Sequence, residues 1–153
     1  MPLQHAGLAA LHGDAFRNDP TQFDPDIARQ IERGLSLSGA DVGRALEAST
    51  RIARAFASFF TDIDVLLAPT VPCVAWPLTQ LGPLEIGGRS ASPRAHAVFT
   101  PYANHAGVPA MSIPCGTNAA GLPFGLQLIA ARGRDRMLLD VAAQAERVLA
   151  GLV

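Results

Sequence analysis

Residues 110–130 read AMSIPCGTNAAGLPFGLQLIA. Two apolar runs, Ala110 to Pro114 and Phe124 to Ala130, are joined by a loop from Gly116 to Pro123 rich in the residues that turn a chain. A third run, Val65-Leu66-Leu67-Ala68, lies between Asp64 and Pro69 and has the mark of a strand in a covered, mostly parallel sheet. Long uncharged tracts enclose all three: 20 residues from Val65 to Leu84, and Ala97 to Ala131 without a single Asp, Glu or Arg. They predict strands buried on both faces. Pro69, Pro72, Pro77 and Pro83 break any helix in the first tract, so it is not a membrane span.

Helices are predicted on either side. Asp135 opens an amphipathic helix with Leu138, Val141, Ala142, Ala145, Val148 and Leu149 on one side and Asp140, Gln144 and Arg147 on the other. Upstream, Ser38 and Asp41 form a capping-box pattern. After it Val42, Ala45, Leu46, Ile52, Phe56, Phe59 and Phe60 recur at three and four, which predicts the longest helix. A shorter one runs from Pro25 to Arg33, with Asp24 to cap it and Gly34 to end it. A looser helical pattern covers Leu3 to Phe16. Helices that bury one stripe around doubly buried strands give an α/β layer architecture. The 26 residues from Val71 to His96 hold four prolines and three glycines. They show little regular structure beyond a hairpin at Gly87-Gly88. A connection that long covers a site or belongs to an incomplete chain.

Composition narrows the function. Across 153 residues there are 12 basic and 13 acidic side chains, a net charge of −1, which argues against a nucleic-acid partner or an anionic membrane surface. With 49% hydrophobic and 16% charged residues the chain should build a core. All 12 basic residues are arginine. Without lysine there is no Schiff base, no phosphate-loop nucleotide site and no Ser-Lys acyl transfer. Cys73 and Cys115 are too few for a disulfide framework and no secretory leader opens the sequence, so the expected compartment is the cytoplasm. A Cys-His pair from Cys73 or Cys115 with His96 or His105 fits no protease signature, and four zinc ligands from the same residues lack paired spacing. Inert thiols are the ordinary alternative. His5 and His12 fall in the first helix, where packed or solvated histidines are expected. Arg132, Arg134 and Arg136 precede the last helix and could hold an anion there, although a solvated turn is the commoner role for such a cluster. Nothing implies a metal or organic cofactor.

Three segments taken together resemble the amidase signature family, in its C-terminal portion. DVLLAPTVPCVAWP at 64–77 is similar to the family's strand followed by a Pro-Thr turn. FTPYANHAGVPAMSIPCG at 99–116 matches its order of aromatic-Thr, Asn, Gly-x-Pro and Ser-x-Pro-x-Gly, and GLPFGLQLIA at 121–130 its Gly-Leu-Pro-x-Gly-x-Gln strand. The resemblance covers roughly residues 24–149, including the long helix after Ser38 and the closing helix.

The resemblance implies part of an α/β/α sandwich around a large mixed sheet. It also implies a mechanism in which a Lys takes a proton through a bridging Ser on a cis peptide, a second Ser attacks the amide carbonyl, backbone N–H groups hold the oxyanion, and water releases the acyl group. Those elements belong to a Gly-Ser-Ser-rich N-terminal half. These 153 residues contain neither that tract nor a lysine. The expectation is therefore a C-terminal segment, residues 1–60 mainly helical and 61–153 strands, loops and a final helix, without the catalytic residues. By resemblance the turn after the first strand borders the acyl pocket, which makes Thr70, Val71 and Trp76 candidate substrate-lining residues; ordinary packing at a strand end is the alternative. Arg29 stands near an arginine that relatives use for carboxylate-bearing substrates. Ala97 stands where transamidase relatives carry an Asp, which favours a stand-alone amidase acting on a small or aryl amide. The expected partner is that amide substrate, bound only with the rest of the enzyme; the alternative is a non-catalytic chain whose partner is a separately encoded amidase or amidotransferase half that it completes.

Overall fold

The computed structural model describes residues 2–151. Its helices are α1 (Pro2–Asn18), α2 (Pro25–Leu35), α3 (Gly39–Phe59), α4 (Pro101–Ala106) and α5 (Asp135–Ala150), and its strands are β1 (Val65–Pro69), β2 (Glu85–Ile86), β3 (Arg89–Ser90), β4 (Ala110–Thr117) and β5 (Pro123–Ala130). The fold is α/β. It divides into two compact units, residues up to Arg51 and residues from Ile52.

In the first unit α1 and α2 pack as a pair. Asp24 caps α2 by accepting from the Asp26 amide, and Pro25 opens its first turn as the sequence predicts. Gly34 does not end the helix, which continues to Leu35. Its role is contact: a Cβ at Gly34 would lie 2.0 Å from the His5 carbonyl oxygen, so glycine lets α2 reach the backbone of α1. Ile31, three residues earlier on α2, is fully buried. The predicted capping box at the head of α3 is reciprocal. The Asp41 amide donates to Ser38 Oγ at 3.2 Å, and the Ser38 amide and hydroxyl donate to Asp41 Oδ2 at 2.9 and 2.6 Å. These bonds, led by that from the Ser38 hydroxyl, hold the Asp41 carboxyl below the ordinary aspartate pKa.

In the second unit three strands form one sheet in the order β1-β5-β4, both pairings antiparallel. The mostly parallel sheet predicted from the apolar run at Val65 is not what these strands make. For β4 and β5 the connection dictates it, since residues 118–122 are too short for a crossover; β1 then adds antiparallel to the other side of β5. In that connection Asn118 Oδ1 accepts from the amides of Ala120 and Leu122, and Gly121 takes φ 75°. One sheet face carries Ile113, Leu128 and Ala130, which pack with Leu138 and Ala142 of α5 into the core. Val148, which its spacing places on the apolar side, is 64% exposed in the last turn of α5.

The strands are not buried on both faces throughout. β1 is an edge strand, and its Leu67 is 56% exposed. Part of the second uncharged tract is helix instead: α4 opens on Pro101 and closes on Gly107 at φ 64°. Pro114 is tolerated inside β4 because β4 is the other edge. The hairpin at Gly87-Gly88 forms between β2 and β3, with both glycines at positive φ.

Candidate functional site

Where β1 runs out, the Thr70 amide donates to the Gly125 carbonyl at 3.0 Å and carries the sheet pairing one residue further. The Thr70 side chain is thereby held over β5, where its Oγ1 lies 2.5 Å from Ser112 Oγ of β4. Gly125 allows that meeting, since a Cβ there would stand 2.5 Å from Ser112 Oγ and 2.8 Å from Thr70 Oγ1. From this hydroxyl pair the chain turns through Val71 to Trp76 and walls a cavity of about 740 Å³ with Pro114, Pro123 and Phe124. Trp76 is fixed on two sides. Its Nε1–H donates to the Gln80 carbonyl at 3.2 Å, and its ring lies 4.9 Å from that of His96. His96 Nδ1 is in turn 2.9 Å from the Pro93 carbonyl, which makes Nδ1 the protonated nitrogen.

The cavity thus brings together Thr70, Val71 and Trp76, and none of its lining residues is Asp, Glu, Arg or His. Ser112 and Gly125 stand in the Ser-x-Pro-x-Gly and Gly-Leu-Pro-x-Gly-x-Gln motifs but were not among the residues expected to line the pocket. Ser112 breaks the apolar run of β4 between Met111 and Ile113, the local signal that could have marked it. Arg29 lies on α2 in the first unit, ion-paired with Asp26 and more than half exposed. Cys73 lines the cavity, Cys115 does not, and both are half-buried free thiols. Arg134 and Arg136 border a separate shallow cavity that Asp140 shares. Among the described residues no group of three or more His, Cys, Asp or Glu could hold a metal, and no helix is long and apolar enough to cross a membrane.

The amidase family model matches residues 5–139. The chain belongs to the amidase signature family. An acylamidase of Rhodococcus erythropolis is 36% identical over 134 residues, covering 87% of this chain and 28% of that protein. A glutamyl-tRNA(Gln) amidotransferase subunit from Salinispora tropica is 36% identical over 151 residues, covering 94% of this chain and 29% of that protein. A crystal structure of an amidase superposes with TM-score 0.89 at 26% identity, covering 95% of this chain and 33% of its own. The amidase-family chain therefore spans under a third of the length of the curated relatives it matches.

Proposed function

We propose that these residues are the C-terminal segment of an amidase-signature hydrolase and form the substrate-pocket wall of an enzyme that cleaves amides by serine acyl transfer. The observation that carries this reading is the cavity: Thr70, Val71 and Trp76 line one uncharged space at the sheet's edge. In the complete enzyme the nucleophilic serine and its lysine base lie on polypeptide outside these 153 residues, since the sequence has no lysine. The amide carbonyl carbon is attacked there, the C–N bond breaks with a proton delivered to the leaving amine, and water frees the acyl group as an acid. The pocket wall holds the acyl portion while this happens, and Arg29 is a candidate contact for a carboxylate-bearing substrate. Two unpaired thiols support a cytoplasmic setting.

On its own the chain is inactive. Incubated with simple amides and a fluorophosphonate probe, the purified 153-residue protein takes no label and releases no amine. Stoichiometric labelling, with hydrolysis lost on changing one serine, overturns the proposal.

A second reading is favoured by one observation: β1 bonds only to β5 within the described sheet and leaves its other edge unpaired. In that reading the chain docks with a separately encoded half, and the Salinispora tropica relative, itself one component of an amidotransferase, is compatible with it. Size-exclusion mass with and without an amidase N-terminal half decides it. A shift to the sum of the two masses supports docking, and an unchanged monomer removes it.

A further inference from the structure

Residues 76–96 fold back on themselves as one arm. Its outgoing and returning halves lie against each other in a continuous register: Ile86 faces Arg89 and Glu85 faces Ser90 in the β2–β3 hairpin, and the Ala91 amide donates to the Leu84 carbonyl at 2.9 Å. Next along the arm, Gly82 is buried against Pro93, where a Cβ would strike the Pro93 backbone, so glycine lets the two halves touch. At the base the Trp76 and His96 rings close the arm, 4.9 Å apart and tilted by 41°. One member of that clasp can change charge, since an imidazole is the side chain that ordinarily does so between pH 5 and pH 8. His96 Nδ1–H is already committed to the Pro93 carbonyl at 2.9 Å, so Nε2 is where a proton adds. The imidazolium keeps that bond and makes it charge-assisted, and beside the indole it gains the attraction of a cation for an aromatic ring. Both changes tighten the clasp. The charged groups on the arm are Glu85, Arg89 and Arg94. Arg94, at the N-cap of the turn that carries His96, opposes the added charge but is exposed, where water and salt screen it; Glu85 and Arg89 belong to the hairpin at the far end. On the cavity side of Trp76, the Cys73 thiol is the one titratable side chain among the lining residues.

We propose that His96 is a positioning residue that makes the cavity wall respond to pH: protonated at Nε2 it pins Trp76 in the wall, and neutral it holds the indole more loosely. His96 is not among the lining residues, so it acts through Trp76. A pinned indole is a wall already in place when a ligand arrives, which raises affinity without adding a contact. That consequence rests on the reading of the cavity as a substrate pocket, whereas the clasp itself is made wholly within the arm.

The test uses the chain itself. Trp76 is its sole tryptophan, so the ¹⁵N-labelled protein gives one indole N–H signal, located in the cavity wall. Toluene, which has no charge to change, should bind about two- to fivefold tighter at pH 5 than at pH 8, the effect of one half-exposed cation–π contact. His96→Phe keeps a ring against the indole and takes no proton, so its toluene affinity should be the same at both pH values. His96→Asn, which also takes no proton and has an amide to offer the Pro93 carbonyl, serves if the Phe variant loses its fold. His12→Ala, in the other unit, should keep the difference of the unsubstituted chain. A pH difference that survives the His96 substitutions belongs to another group, Cys73 included, and overturns the clasp. Equal toluene affinity at both pH values in the unsubstituted chain also overturns it, even where the indole signal moves with pH as any ring beside a titrating imidazole would. Both outcomes leave the pocket reading standing. No movement of the Trp76 signal with toluene at either pH overturns the pocket reading and the proposed role of His96 with it.

Discussion

Gly34 of α2 and His5 of α1 stand so close that a Cβ on Gly34 would lie 2.0 Å from the His5 carbonyl oxygen and 2.7 Å from Ala9 Cβ. Alanine at this position would add about 1 kcal/mol of helix propensity. The clash is with backbone, which no rotamer change relieves, and overpacking of this kind costs about 1–3 kcal/mol or more. The clash wins, so Gly34→Ala should lower the urea midpoint. Gly43, inside α3 with nothing within 4 Å of its would-be Cβ, is the control. Gly43→Ala should raise the midpoint, with a gain in unfolding free energy of about 0.5–1 kcal/mol.

Gly34 also shows where sequence reading stops. A glycine after an apolar stripe reads as a helix end, and its contact with a carbonyl 29 positions earlier has no local signature. The α/β class, the capping box and the Gly87-Gly88 hairpin were legible because each rests on residues within a few positions of one another. Strand direction was not. A continuous apolar run such as Val65 to Ala68 carries no direction, and its antiparallel partner β5 lies beyond β2, β3, α4 and β4 in the chain, so no local signal announces that pairing. The cavity was half legible for the same reason. Thr70, Val71 and Trp76 sit in one motif, while Ser112 and Gly125 join them through strand register across β5. Family membership was carried by motif order, which needs no register at all.

At the head of α3, Ser38→Ala should cost about 1 kcal/mol of helix stability, read as a fall in thermal midpoint, because the Asp41 amide loses its acceptor.

The same box makes helix stability depend on pH. The Asp41 carboxyl titrates below its unfolded value, chiefly through its bond from the Ser38 hydroxyl. The contribution is therefore complete above the unfolded aspartate pKa and is lost as pH falls through the lower folded one. Circular dichroism between pH 6 and pH 2 should show this loss. Asp41→Asn should flatten that part of the curve.

His96 braces Trp76, its ring 4.9 Å from the indole. His96→Ala should shift the Trp76 emission to longer wavelength as water reaches the ring, at a stability cost of about 0.5–1.5 kcal/mol. His12→Ala, whose ring packs on Phe23 in the other unit, should leave that emission unchanged.

Gln127 lies in the central strand between Ala68 of β1 and Ser112 of β4, and is 4% exposed. Its Oε1 has no hydrogen-bond partner among the described residues. A buried acceptor left this way costs about 1–3 kcal/mol, whereas an apolar side chain of similar shape carries no such cost. Gln127→Met should therefore raise the urea midpoint of the 153-residue chain, with a gain in unfolding free energy of about 1 kcal/mol. Gln127→Glu should lower it, since a buried carboxylate has no cation to meet there. The Met variant also separates the two readings of function. If a second polypeptide completes the sheet and donates to Oε1, Gln127→Met stabilises the chain alone yet weakens its association with that half. The two effects then have opposite signs in the same variant. If the chain acts without such a partner, the gain in stability is the whole effect, and adding an amidase N-terminal half changes nothing.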